Sequence, residues 1–278
     1  MIGHRRLRVG VRALLALLMV VLAGFPLYWI INTALTPSDS LFAGEQHWWP
    51  DLTSSLRLFS VLTTDTPFLR WMGNSTIVAG GSTILSLLMA TLAAYALSRY
   101  KFIGKGLMGF GFFATQMLPE ALIVVPLYSL FATLGLLNQL YGLVLVNAAF
   151  AMPVATFILK AAMDSVPYEL EESARIDGCG PLSTLQIMVV PLVAPSMAAA
   201  AVITFFDGWN EYLFGTTFIT DKENWTASTG LASFTGEFLT PLDTVFSAAF
   251  VFTIPAIIFF LLMQRRIVSG LTAGAVKG

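Results

Sequence analysis

The chain reads as an all-α, polytopic membrane protein with six transmembrane helices. Three observations lead there. Of its 278 residues, 56% are hydrophobic and 11% charged, where a soluble domain carries roughly 25% charged residues. Charge-free apolar runs recur along the chain, and mean hydropathy is +0.78. Lysine and arginine collect in alternate segments between those runs.

The runs are taken in order. Arg5, Arg6, Arg8 and Arg12 precede a charge-free stretch from Ala13 to Ser38. A basic flank and an apolar run also open a secretory signal. This run exceeds the about 20 residues that cross hydrocarbon as a helix, and no clear small-residue cleavage site follows. It is read as span one, about 13–35, anchored from the cytoplasm. Segment 36–72 is polar and read as extracytoplasmic, with Trp48 and Trp49 suited to a membrane interface. Span two, about 73–98, carries Gly80, Gly81, Ala90 and Ala94, small residues that admit a close neighbour.

Arg99, Lys101 and Lys105 form the next basic cluster, and span three follows at about 106–131, where Pro119 and Pro126 point to an irregular helix. No charge falls between Ala121 and Leu159, a stretch too long for one helix. Gly135 to Gln139 is the natural break, so spans three and four form a hairpin, span four being about 141–163. A polar loop, 164–186, leads to span five at about 187–206. Pro191 and Pro195 are expected to bend or loosen its start. Segment 207–243 is polar and acidic, and span six is about 244–264.

Basic residues set the orientation. The amino end, the 99–105 loop, the 160–175 loop and the tail hold four, three, two and three Lys or Arg; the opposite segments hold two, none and one. That is 12 against 3, which puts both termini and the 164–186 loop in the cytoplasm.

That loop is the most informative part of the chain. Glu169, Glu171, Glu172 and Asp177 fall between long apolar runs. Pro167 suits a helix start, the glutamates suit the positive end of its dipole, Gly178 suits a left-handed stop, and Pro181 opens a second helix. The expected result is a short helix, a glycine knee, and a helix that runs on into the membrane.

Glu172-Ser173-Ala174, then Gly178, Met188, Val190 and Pro191 resemble the EAA loop of ABC importer permeases, and EESARIDGC resembles its carbohydrate-importer form. Ser173 and Cys179 are mild departures from it. TFFDGWNEYLF and the ending GLTAGAVKG resemble the maltose-type, binding-protein-dependent branch. Together the likenesses run from the first span to the last residue. The resemblance implies a type I ABC importer permease fold, a single permease domain over 1–278, and a bacterial inner (plasma) membrane location. Glu171, Glu172, Ser173, Ala174, Asp177 and Gly178 are then expected to couple to an ATP-hydrolysing subunit. The partners implied are a second, similar permease, two ATP-binding subunits that carry ATP and Mg, and an extracytoplasmic substrate-binding protein. Phe234, Gly236, Glu237 and Phe238 are the expected contact with that binding protein.

A substrate path is expected along Glu120, Trp209, Asn210, Glu211 and Tyr212. Glu120 is an acid placed in a span, about 22 Å along a helix from Lys105. Such acids face a cavity or a partner; a hydrated acid near the outer surface is the other reading. By composition, residues 209–212 are an interfacial aromatic belt. The resemblance shifts them toward an aromatic face and hydrogen-bonding groups for a sugar ring.

Other classes fit poorly. The net charge of −1 offers no field for nucleic acid. The single Cys179 excludes an intrachain disulfide and a cysteine-based zinc site. His4 and His47 lie in different segments, so no metal site is expected. No phosphate-binding G-x-x-x-x-G-K-[ST] occurs, nor H-E-x-x-H or G-x-S-x-G, so neither ATP hydrolysis nor other catalysis is expected of this chain, and no bound cofactor. A permease for glycerol-phosphate or another polyol is the nearest alternative, and a membrane protein that transports nothing is the more distant one.

Overall fold

The computed structural model describes residues 2–36, 40, 48–50, 63, 66–236 and 242–275, and among them there is no strand. Helix α1 covers Ile2–Ala34, α2 Phe68–Arg99, α3 Lys105–Met117, α4 Glu120–Thr133, α5 Leu140–Asp164, α6 Tyr168–Ile176 and α7 Pro181–Thr184. A π turn, Leu185–Val189, joins α7 to α8, Val190–Asn210. Then come α9 (Leu213–Phe218), a 3-10 turn (Lys222–Asn224), α10 (Ala227–Ala232) and α11 (Leu242–Ala275). Five stretches have the length and composition to cross a membrane: Gly10–Ala34, Phe68–Arg99, Leu140–Asp164, Pro181–Asn210 and Thr244–Ile267. The bent pair α3 and α4 makes a sixth if taken as one span.

That pair goes further than the irregular helix expected within the span at 106–131. The two helices meet at 102°. The cause is Pro119, which clashes with an α-helical residue before it. Leu118 accordingly turns extended, at φ −82° and ψ 122°. Glu120 therefore stands in the first turn of α4 rather than inside a continuous helix, where the helix dipole favours an acid.

The chain divides into two compact units: Met1–Leu69 with Leu231–Thr253, and Arg70–Gly230 with Ile254–Gly278. In the first, Trp48 packs against α1. Its ring meets Trp29 edge-on at 5.9 Å, and the Tyr28 hydroxyl donates to its carbonyl. Ser247 Oγ donates to the Ala34 carbonyl at 3.3 Å, which ties α11 to the end of α1.

Among the described residues, the second unit has two cores. Ala90, Ala94 and Tyr95 of α2 meet Ala155, Leu159 and Met163 of α5, and Leu185, Val189, Val193 and Ala200 of the π turn and α8. The other core gathers Val78, Phe131, Leu143 and Val146 around Phe214, Phe218 and Ile219 of the α9 region. Small residues set the spacing. Gly208 of α8 approaches α2 so closely that an added β-carbon would sit 3.2 Å from Ala79 Cα. At Gly81 the neighbour is Val144 of α5, at 3.1 Å from such a carbon. Gly80 has open space instead.

The π turn has a local cause. Pro191 has no N–H, so the carbonyl four residues back loses its α-helical partner. The Val190 N–H bonds five residues back, to the Leu185 carbonyl, and a single wide turn of this kind absorbs the defect. The helix then runs on to Asn210, past the expected end at 206, and takes in Asp207 and Trp209.

The segment after α9 is laced to the start of α2. Asn74 Nδ2 donates to the carbonyls of Glu223 and Trp225, both at 2.9 Å, and Trp71 Nε1 to that of Lys222 at 2.6 Å. The Ala227 N–H donates to Ser75 Oγ at 2.8 Å.

Candidate functional site: a polar elbow and an acid-lined cavity

The elbow is built by capping chemistry. Pro167 takes the position just before α6, with Glu169 and Glu171 in the first turn. At the other end the Cys179 N–H bonds to the Ala174 carbonyl at 2.9 Å, and the Gly178 N–H to that of Arg175 at 3.0 Å. This paired closure needs a left-handed residue, and Gly178 supplies it at φ +89°. Pro181 then opens α7.

The six residues expected to couple to an ATPase do not share one face. Glu172, Ser173, Asp177 and Gly178 are exposed, and Ile176 between them is 87% exposed. Glu171 and Ala174, three apart and therefore on one side of the helix, are buried. Glu171 is 0% exposed, so within this chain its carboxylate offers no surface to a docking subunit. Its Oε1 lies 2.5 Å from Arg99 Nε, and its Oε2 accepts from the Tyr95 hydroxyl at 3.0 Å. Arg99 Nη2 donates to the Val166 carbonyl at 3.0 Å and Nη1 to Ser98 Oγ at 3.1 Å. Ser98 donates in turn to Asp164, which also pairs with Lys160, both at 2.6 Å. The ends of α2, α5 and α6 are thus joined by one polar network.

The second feature is a cavity of about 540 Å³. Four of the five residues expected along a substrate path line it: Glu120, Asn210, Glu211 and Tyr212. Gln116, Asn147 and Asp207 join them, with Phe150 and Phe206 as aromatic walls, and among the described residues the lining has no lysine, arginine or histidine.

Trp209 is the exception. It is 1% exposed and stacks on Phe205 at 5.7 Å, which stacks on Phe259 at 3.9 Å. The spacing of Phe205 and Trp209, four apart on a helix, already puts both on the face opposite Asp207 and Glu211. The tryptophan is a packing residue here. Glu211 also has a second task. Its carboxylate accepts from the N–H groups of Phe214, at 2.5 Å, and Gly215, at 3.0 Å, and so caps α9. It lies one residue beyond the span, and burial pushes its carboxyl up to about 7 against the pull of those two donors.

Of the residues expected to meet a binding protein, Phe234 packs on Phe68 at 6.1 Å and Gly236 is exposed. Glu237 and Phe238 lie outside the described residues. Among the described residues, no group of three or more His, Cys, Asp or Glu is placed to hold a metal.

These features define a multi-pass helical membrane protein with a polar elbow at one end of its spans and a hydrophilic cavity between them. Residues 82–272 match the family described as the binding-protein-dependent transport system inner membrane component. The chain belongs to that family: it is a membrane permease of a binding-protein-dependent transport system. It is 34% identical over 268 residues to the trehalose transport system permease protein of Mycobacterium tuberculosis, covering 96% of this chain and 97% of that one. It is likewise 34% identical over 270 residues to the sulfoquinovosyl glycerol transport system permease protein of Agrobacterium fabrum, at 96% and 93% coverage. A crystal structure of a bacterial ABC transporter that imports the acidic polysaccharide alginate contains a chain of the same fold, with a TM-score of 0.78 and 21% identity over 94% of this chain and 96% of that one.

Proposed function

We propose that this chain is one of two permease subunits in an ATP-driven carbohydrate importer of a bacterial plasma membrane. It forms half of the translocation path and takes its driving force through the elbow. The ATP and Mg belong to two separate ATP-binding subunits, and an extracytoplasmic binding protein delivers the sugar. The observation that carries this reading is the two-sided construction of α6. One side is fastened into the protein by Glu171 and Ala174, while the other, with Glu172, Ser173, Ile176 and Asp177, is left open. The elbow leaves Tyr168, Leu170, Ile176 and Leu182 exposed together with these polar groups, a mixture that suits a protein contact.

The cavity supports a carbohydrate. Neutral sugars are held by amides, carboxylates and aromatic faces, and Asn147, Asn210, Glu120, Glu211, Phe150 and Tyr212 provide these. A glycerol-phosphate is disfavoured, since an anion would meet Glu120, Asp207 and Glu211 with no lysine, arginine or histidine among the described lining residues.

The test is reconstitution with the ATP-binding subunits, the second permease and the binding protein in proteoliposomes, followed by a screen of neutral mono- and disaccharides. Stimulated ATP hydrolysis together with uptake of the same sugar is expected. Hydrolysis that responds to no sugar but to a phosphorylated polyol would replace the carbohydrate reading with the alternative.

A further inference from the structure

The network under the elbow is more than a tether. Arg99 and Glu171 are 7% and 0% exposed, so both charges have left water. A buried ion pair of this kind gains little stability over a well-packed apolar pair, because desolvation offsets the attraction. What it adds is geometry. The guanidinium has its donors in a fixed fork. Here that fork reaches Glu171 on α6, the Val166 carbonyl between α5 and α6, and Ser98 on its own helix. Tyr95, one turn back on α2, takes the second carboxylate oxygen. The covalent chain links α6 directly to α5 and, through Gly178, to α7 and α8. It does not link α6 to α2. The ion pair makes that connection, between residues 72 positions apart.

We propose that Glu171 and Arg99 are positioning residues for coupling: they clamp α6 to the end of α2, so that a displacement of the exposed face of α6 reaches the α2 span instead of being absorbed by the loop. This rests on the reading that the exposed face meets an ATP-binding subunit. A force entering at Ile176 would then have two outputs. One runs through Gly178 and Pro181 into α8, and the other through Glu171 and Arg99 into α2.

The experiment compares wild type with Glu171→Gln and with the double variant Glu171→Leu/Arg99→Leu, each as the full complex in proteoliposomes. Three quantities are read: co-purification of the ATP-binding subunits, thermal midpoint, and sugar molecules imported per ATP hydrolysed. Glu171→Gln leaves Arg99 buried without its counter-charge and tests the network as a whole. The double variant is decisive, because apolar residues restore packing without the fork. We expect it to assemble with a midpoint near wild type, and its sugar-to-ATP ratio to fall by about five-fold or more, the low end of typical coupling between distant sites. A double variant that assembles and keeps the wild-type ratio overturns the proposal, since the pair is then packing alone. Loss of the ATP-binding subunits from the double variant also overturns it, since the pair then shapes the docking face. Failure of the importer reading looks different: wild type itself would show no sugar-dependent ATP hydrolysis.

Discussion

Asn138 Oδ1 accepts from the N–H of Thr220, at 2.7 Å, and from that of Asp221, at 3.0 Å. The same residue gives its own N–H to the Phe218 carbonyl at 2.9 Å, and its carbonyl accepts from Asn224 Nδ2 at 2.9 Å. Its backbone sits at φ +60°, which asparagine tolerates better than most residues. One side chain therefore fastens the turn between α4 and α5 to the segment that follows α9. Asn138→Ala removes the acceptor and leaves two backbone donors without it. A loss of about 0.5–1.5 kcal/mol is expected, since both donors are exposed, with faster amide exchange at Thr220 and Asp221 than at Asn74. Unchanged exchange at those two amides would show that solvent replaces the side chain at no cost.

Gly178 has open space around the position of a β-carbon. The penalty for replacing it is therefore backbone strain at φ +89°, not a clash. Gly178→Ala should cost about 1–2 kcal/mol, and Gly178→Asn less. If the knee is part of the drive, import per ATP should follow the same order: glycine, asparagine, alanine. Equal midpoints for the alanine and asparagine variants would contradict the strain argument.

Gly208 presents the opposite case. An added β-carbon would stand 2.8 Å from Ser82 Oγ and 3.2 Å from Ala79 Cα. The hydroxyl can move, but the backbone atom cannot without parting the helices. Gly208→Leu should destabilise by about 1–3 kcal/mol or more. Gly208→Ala should recover only in part when Ser82→Ala is added, as read by thermal midpoint in detergent. Full recovery would place the whole conflict on the hydroxyl.

The two glutamates of the cavity separate by their second tasks. Glu211→Ala strips two backbone donors at the start of α9 of their acceptor, at a cost of about 1 kcal/mol. Glu120→Ala removes an exposed acid from a helix start, and the stability change should stay within about 0.5 kcal/mol. Sugar uptake should nevertheless fall in both. Normal uptake by a stable Glu120→Ala complex would remove that residue from the path.

The features read correctly from the sequence are local ones. Proline and glycine chemistry marks Pro167, Gly178 and Pro181, because each acts within its own turn. Uncharged length marks the spans. Pro119 and Pro126 point to an irregular helix, yet a long apolar run concealed how far the chain turns at Pro119. What stayed hidden depends on partners far along the chain. Glu171 looks like any first-turn acid until Arg99, 72 positions away, is brought against it. Its spacing from Ala174 was the available sign of an inward face. Trp209 sits among cavity residues in sequence but four residues from Phe205, and that spacing was the better guide.

The central claim is that the open face of α6 receives an ATP-binding subunit on the cytoplasmic side. A single cysteine at Ile176, with Cys179→Ser to remove the native thiol, tests it with a membrane-impermeant maleimide. Labelling is predicted in inside-out vesicles and not in right-side-out ones, and it should disappear when the ATP-binding subunits are bound. Labelling from the outer surface, or labelling that persists at full occupancy of those subunits, would contradict the account.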